Sequence, residues 1–169
     1  AENLLRSRDD SDAMVFWGED RVKNRLSHGD LYRQVAHFAA ALQEQGVVAG
    51  DRVAAYMPNL PETIVVMLAA ASIGAIFSSA SPDFGVQGVL DRFGQIEPKV
   101  LVAVDGYYYN GKIVDCLDRL AAITDGLPSV KRVVVVPYVH ARHDISHVHH
   151  ARMLVDFVKP FLAETEIPF

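Results

Sequence analysis

The feature that most narrows the fold is a pair of strand-length runs with no polar interruption, Val100–Val104 and Val133–Val136. A strand with one wet face alternates apolar and polar residues, whereas a run that is apolar throughout suits a strand covered on both faces. Around these runs, strand-like and helix-like stretches alternate. Asp51–Met57, Ala75–Ser79, Lys99–Val104 and Val130–Val136 read as strands. Helices are expected over Ile64–Ile73, Val86–Ile96 and Lys112–Ala122. This order predicts an α/β fold, a mostly parallel sheet flanked by helices and joined by right-handed crossovers.

Before the first of these strands, Ala13–Trp17 and Asn24–Ser27 flank Gly18-Glu19-Asp20 and predict an N-terminal β-hairpin. Ser27 with Asp30 three residues on forms a weak capping box. Leu31, Val35, Phe38 and Leu42 then recur at helical spacing, and Gly46 supplies the stop. Past Tyr138 the pattern weakens. Residues 138–150 read as an exposed His-rich loop, Met153–Phe161 as one more short helix, and residues 162–169 as a linker cut in mid-course.

Charge and cysteine usage restrict function. Acidic residues outnumber Lys and Arg by 21 to 16, which argues against a nucleic-acid surface. Cys116 is the only cysteine, so no disulfide links the chain to itself. No apolar run is long enough to span a bilayer and the N-terminus does not read as a signal peptide, so a cytoplasmic location without membrane contact is expected.

The motifs are individually weak. Gly106–Ile113 carries the glycine spacing of a phosphate loop ending in Lys112, but Ile113 stands where a Mg²⁺-ligating Ser/Thr belongs. A milder reading places Lys112 at a helix N-terminus, where anions are attracted. Ser81-Pro82-Asp83-Phe84 lies just past a predicted strand end, where open α/β sheets bind ligands, although turn chemistry alone also explains it. His140, His143, His147, His149 and His150 are a compositional metal signal, but no cysteine and no rigid frame accompany them, and no metal site is assigned.

Several stretches taken together resemble the start of the adenylate-forming acyl-CoA synthetase family: Ala1–Leu5, Leu26–Asp51, Tyr56–Glu62, Ser72–Ile76 and Asp105–Lys112. Within the family, Ser78–Leu101 is similar to the acetoacetate-activating branch rather than the acetyl- or propionyl-activating ones. The resemblance covers roughly residues 1–136. It implies an ATP-dependent acid–thiol ligase using ATP, CoA and Mg²⁺, with acetoacetate as the acid. It also implies that residues 1–169 are an incomplete N-terminal adenylation domain, inactive alone and without catalytic residues, whose first partner is the remainder of its own chain. Exposed strand faces would then make the fragment self-associate.

By the same resemblance, Ser81, Pro82, Asp83 and Phe84 line the mouth for the CoA pantetheine arm, and Tyr109 and Lys112 lie near the CoA nucleotide. Acetyl-activating relatives tend to carry arginine where Tyr109 stands. A tyrosine can stack on adenine but cannot neutralise phosphate, which leaves Lys112 as the phosphate candidate. The competing readings are a sister short-chain ligase, acetyl- or propionyl-activating, and a non-catalytic α/β module that binds a nucleotide or CoA.

Overall fold

A computed structural model describes residues 1–140, 144–167 and 169. An antiparallel hairpin, β1 (Asp12–Gly18) and β2 (Val22–Ser27), leads into helix α1 (His28–Glu44). Ser27 caps α1, its hydroxyl oxygen accepting from the Asp30 N–H at 3.1 Å and its O–H donating to the Asp30 carboxylate at 2.8 Å. Gly46, with φ +73°, stops the helix: the Val47 N–H turns back to the Leu42 carbonyl at 3.1 Å.

Five strands follow in one parallel sheet: β3 (Arg52–Tyr56), β4 (Ile76–Ala80), β5 (Val100–Val104), β8 (Arg132–Val136) and β9 (Ala151–Met153). Their spatial order is β4-β3-β5-β8-β9. The crossovers contain α2 (Pro61–Ser72), α3 (Val86–Ile96) and α4 (Leu117–Asp125), and α5 (Leu154–Val158) follows β9.

Alternating strand residues feed two separate cores, as the two-residue period requires. Val53, Ala55, Val102, Val104 and Val134 pack toward α1, α2 and α5. Ala54, Tyr56, Leu101, Ala103 and Val135 pack toward α3 and α4. Val100–Val104 and Val133–Val136 are thus fully covered by helices of this chain. The expectation that these strands leave faces exposed is therefore corrected, and with it the reason given for self-association.

Two further corrections concern sequence-predicted elements. Lys112–Ala122 is not one helix: β6 (Gly106–Tyr109) and β7 (Lys112–Asp115) form an antiparallel hairpin, and α4 begins only at Leu117. The physical reason is the Asn110-Gly111 pair, which takes φ +48° and +75° in a two-residue turn of the type that matches strand twist. The phosphate-loop spacing is thereby a hairpin. The second correction is β9, a three-residue strand between the stretches read as loop and helix, which takes Met153 from the expected helix.

The expected 138–150 loop and 162–169 tail lie partly outside the described residues, and His143 wholly so. Among the described histidines, His147 faces Asp118 at 3.7 Å and His149 faces Asp125 at 3.6 Å. Among the described residues no helix is long and apolar enough to cross a membrane.

Candidate functional site

The strand order is that of a doubly wound sheet whose winding direction reverses between β3 and β5. At such a switch point the connections leave toward opposite faces and open a crevice beyond the strands' carboxyl ends. Residues after Tyr56, Ala80 and Val104 therefore form its walls.

The Ser81–Phe84 loop sits there, directly after β4. Its backbone is held from below. The Tyr56 hydroxyl, fully buried, lies 2.8 Å from the Pro82 carbonyl oxygen and 2.7 Å from that of Phe84. Arg119 of α4 donates to the same Pro82 oxygen at 3.1 Å, and to the Asp115 carbonyl and the Cys116 sulfur. Ser81 Oγ donates to Asp83 Oδ2 at 2.9 Å. The Arg92 guanidinium lies 4.1 Å over the exposed Phe84 ring.

Next to the loop, the β6–β7 hairpin rises from the end of β5. Tyr107, at its base, stands beside Asp83 and Arg119; burial and the bond to Asp83 push its phenol up. Successive strand residues face opposite sides, so Tyr109 shares a face with Tyr107 while Tyr108 turns the other way, against Tyr138. Lys112 is paired directly across from Tyr109 and shares that face too. The six expected residues thus fall into two groups, Ser81–Phe84 at the crevice and Tyr109 with Lys112 at the hairpin's outer end. Tyr107 links them. Lys112 is exposed and begins a strand, so the expected helix N-terminus beside it is corrected.

Sequence reasoning missed Tyr56, Tyr107 and Arg119. Each meets the loop across 24 or more residues of chain, which no local pattern encodes. The available signal was a tyrosine ending an apolar strand that enters a switch point.

The electrostatics suit binding more than bond-making. Burial pushes the Tyr56 phenol up to about 12 and the Cys116 thiol up to about 11. Neither ionises near neutrality, so Cys116 offers no thiolate nucleophile. Asp105, buried at the end of β5, accepts from the Tyr138, Val139 and His140 N–H groups at 2.9, 3.2 and 3.3 Å, fixing the path of the chain out of β8. Among the described residues, no three His, Cys, Asp or Glu side chains gather as metal ligands would. A cavity of about 270 Å³ lies on the α1–α2–α5 face among Phe38, Val65, Val66 and Leu154, away from all six expected residues.

Comparison with known proteins gives the chain's family and relatives. The profile of the AMP-binding enzyme family matches residues 2–153. An acetoacetyl-coenzyme A synthetase of Rhizobium meliloti (strain 1021) is 50% identical over 164 residues, 96% of this chain and 25% of the relative. An acetoacetyl-CoA synthetase of Danio rerio is 46% identical, over 94% of this chain and 24% of its own length. Among solved structures, acetoacetyl-CoA synthetase from Streptomyces lividans superposes with a TM-score of 0.87 at 36% identity, over 99% of this chain and 25% of that one. The chain spans about a quarter of the length of the relatives it matches.

Proposed function

We propose, because this chain belongs to the AMP-binding enzyme family, that it forms part of an ATP-dependent ligase joining acetoacetate to CoA. The supporting observation is the 50% identity, over nearly the whole chain, to a relative named for that activity. In the first step an acetoacetate carboxylate oxygen attacks the α-phosphorus of ATP and pyrophosphate leaves. In the second, the CoA thiol, its proton lost to solvent, attacks the acyl carbon as the thiolate, and AMP leaves with the bonding electrons. Mg²⁺ would offset charge on the triphosphate, but the described residues gather no ligand set for it, and no step is assigned to it on this chain.

This chain's share is CoA binding. Tyr56 and Arg119 hold the Ser81–Phe84 loop rigid at the mouth for the pantetheine arm. Tyr109 offers a ring to the adenine, and Lys112, on the same hairpin face, offers an ammonium to a CoA phosphate. A cytoplasmic location suits these substrates.

The test uses a protein of the relatives' full length that contains this chain. ATP–pyrophosphate exchange should follow acetoacetate well above acetate or propionate, whereas residues 1–169 alone should match a blank. Lys112→Ala should raise the apparent KM for CoA about 10- to 150-fold, the range for a lost hydrogen bond to a charged group, with exchange near normal. Exchange led by acetate or propionate would transfer the reading to a sister ligase. CoA binding without exchange would leave a binding module. Exchange lost with CoA dependence intact would remove Lys112 from the CoA site.

A further inference from the structure

The two hairpins, distant in sequence, are locked together by one side chain. In the two-residue turn of β6–β7, the Asn110 and Gly111 N–H groups point outward, where the hairpin ladder cannot reach them. Each donates to a different oxygen of the Glu19 carboxylate, both at 3.0 Å. From the same β1–β2 turn, Arg21 donates to the Gly111 carbonyl at 3.1 Å, and its guanidinium lies 5.4 Å over the Tyr108 ring. The β1–β2 turn thus satisfies both donors and one carbonyl of the β6–β7 turn.

A second observation concerns the backbone at Glu19. Its backbone adopts φ +45°, and Asp20 beside it φ +58°. Such conformations favour glycine, and a residue with a side chain persists there only when its surroundings hold it. At Glu19 that side chain is what grips the neighbouring turn.

We infer that Glu19 is a positioning residue for CoA: it fixes the β6–β7 turn, and through it the face that presents Tyr109 and Lys112. The inference rests on the proposed CoA role of those two residues. The turn separates them by only Asn110 and Gly111, so rotation or fraying there moves both side chains together. A carboxylate bridging both N–H groups resists that motion better than water, which exchanges.

The experiment uses the full-length enzyme with Glu19→Ala, Glu19→Gln and Glu19→Gly, alongside Lys112→Ala. Glu19→Ala should raise the KM for CoA about three- to tenfold, at or below the low end for charge-assisted bonds because the site is exposed, with acetoacetate-dependent ATP–pyrophosphate exchange unchanged. Hydrogen exchange in the peptide spanning residues 106–115 should speed up. Glu19→Gln keeps one acceptor oxygen and should show a smaller effect of the same kind. Glu19→Gly suits the positive φ, so its fold stays sound, yet it should match Glu19→Ala; wild-type behaviour in it would overturn the inference. In a Lys112→Ala background, Glu19→Ala should add little, because both changes act through one hairpin tip. If Lys112→Ala raises the KM while Glu19→Ala leaves it untouched, positioning by Glu19 is wrong and the CoA site stands. Failure of Lys112→Ala to alter the KM refutes the CoA site itself, and unchanged hydrogen exchange in Glu19→Ala refutes the lock.

Discussion

Tyr56→Phe isolates one hydroxyl beneath the crevice. The ring is fully buried, so phenylalanine keeps its packing and removes only the donor. That donor faces two carbonyl oxygens, at 2.8 and 2.7 Å, and a single hydrogen satisfies one well at a time. Without it, the Pro82 oxygen keeps Arg119 as a donor, while Phe84, 39% exposed, gains partial access to water. The cost is therefore one net hydrogen bond with part of a desolvation penalty, about 1–2 kcal/mol rather than the larger figure for an orphaned buried group. For a chain of this size that lowers Tm by about 2–8 °C. The variant should also flatten part of the alkaline limb. A phenol held near 12 in the fold and 10 when unfolded contributes stability that is complete below pH 10 and lost as pH rises to 12. Thermal and urea unfolding at pH 7 and between pH 10 and 12 measure both effects. An unchanged Tm, with unaltered hydrogen exchange over residues 81–85, would refute the claim that Tyr56 anchors the loop.

Two further outcomes are expected. Asp105→Asn replaces an acceptor oxygen by a donor facing backbone N–H groups and should destabilise by about 1.5–3 kcal/mol, read from the urea midpoint; a smaller loss than Tyr56→Phe gives would count against Asp105 as the anchor of residues 138–140. Cys116 should react with a thiol reagent at neutral pH only as fast as the chain unfolds, its thiol being buried and pushed up to about 11, and rapid labelling of folded protein would contradict that environment.

What could be read from the sequence was whatever local chemistry determines. The Ser27–Asp30 cap, the α1 stripe through Leu42 and the apolar run of β5 all stand where spacing puts them. The β6–β7 hairpin is hidden although Asn110-Gly111 is a strong local signal, because the residues after it also fit the start of the following helix. β9 escaped notice because three residues are too few to show a period; its pairing with β8 defines it. The crevice depends on contacts such as Tyr56 with Phe84 and Arg119 with Pro82, which exist only after the sheet has formed.

The all-parallel sheet also governs how the chain reaches its fold. Its closest pairing in sequence, Val133 with Ala151, joins residues 18 apart, and Val53 with Val100 joins residues 47 apart. The turns of β1–β2 and β6–β7, by contrast, close over two or three residues. Helices and hairpins can therefore form within microseconds, while β3 must wait for long loops to close before β5 rewards it with a single contact. Refolding should show early helical signal and a slower acquisition of sheet, with the crevice between β3 and β5 among the last features to form. Until then, the apolar edges of β3, β5 and β8 are available to other chains, so the route into this fold carries its own hazard of misassembly.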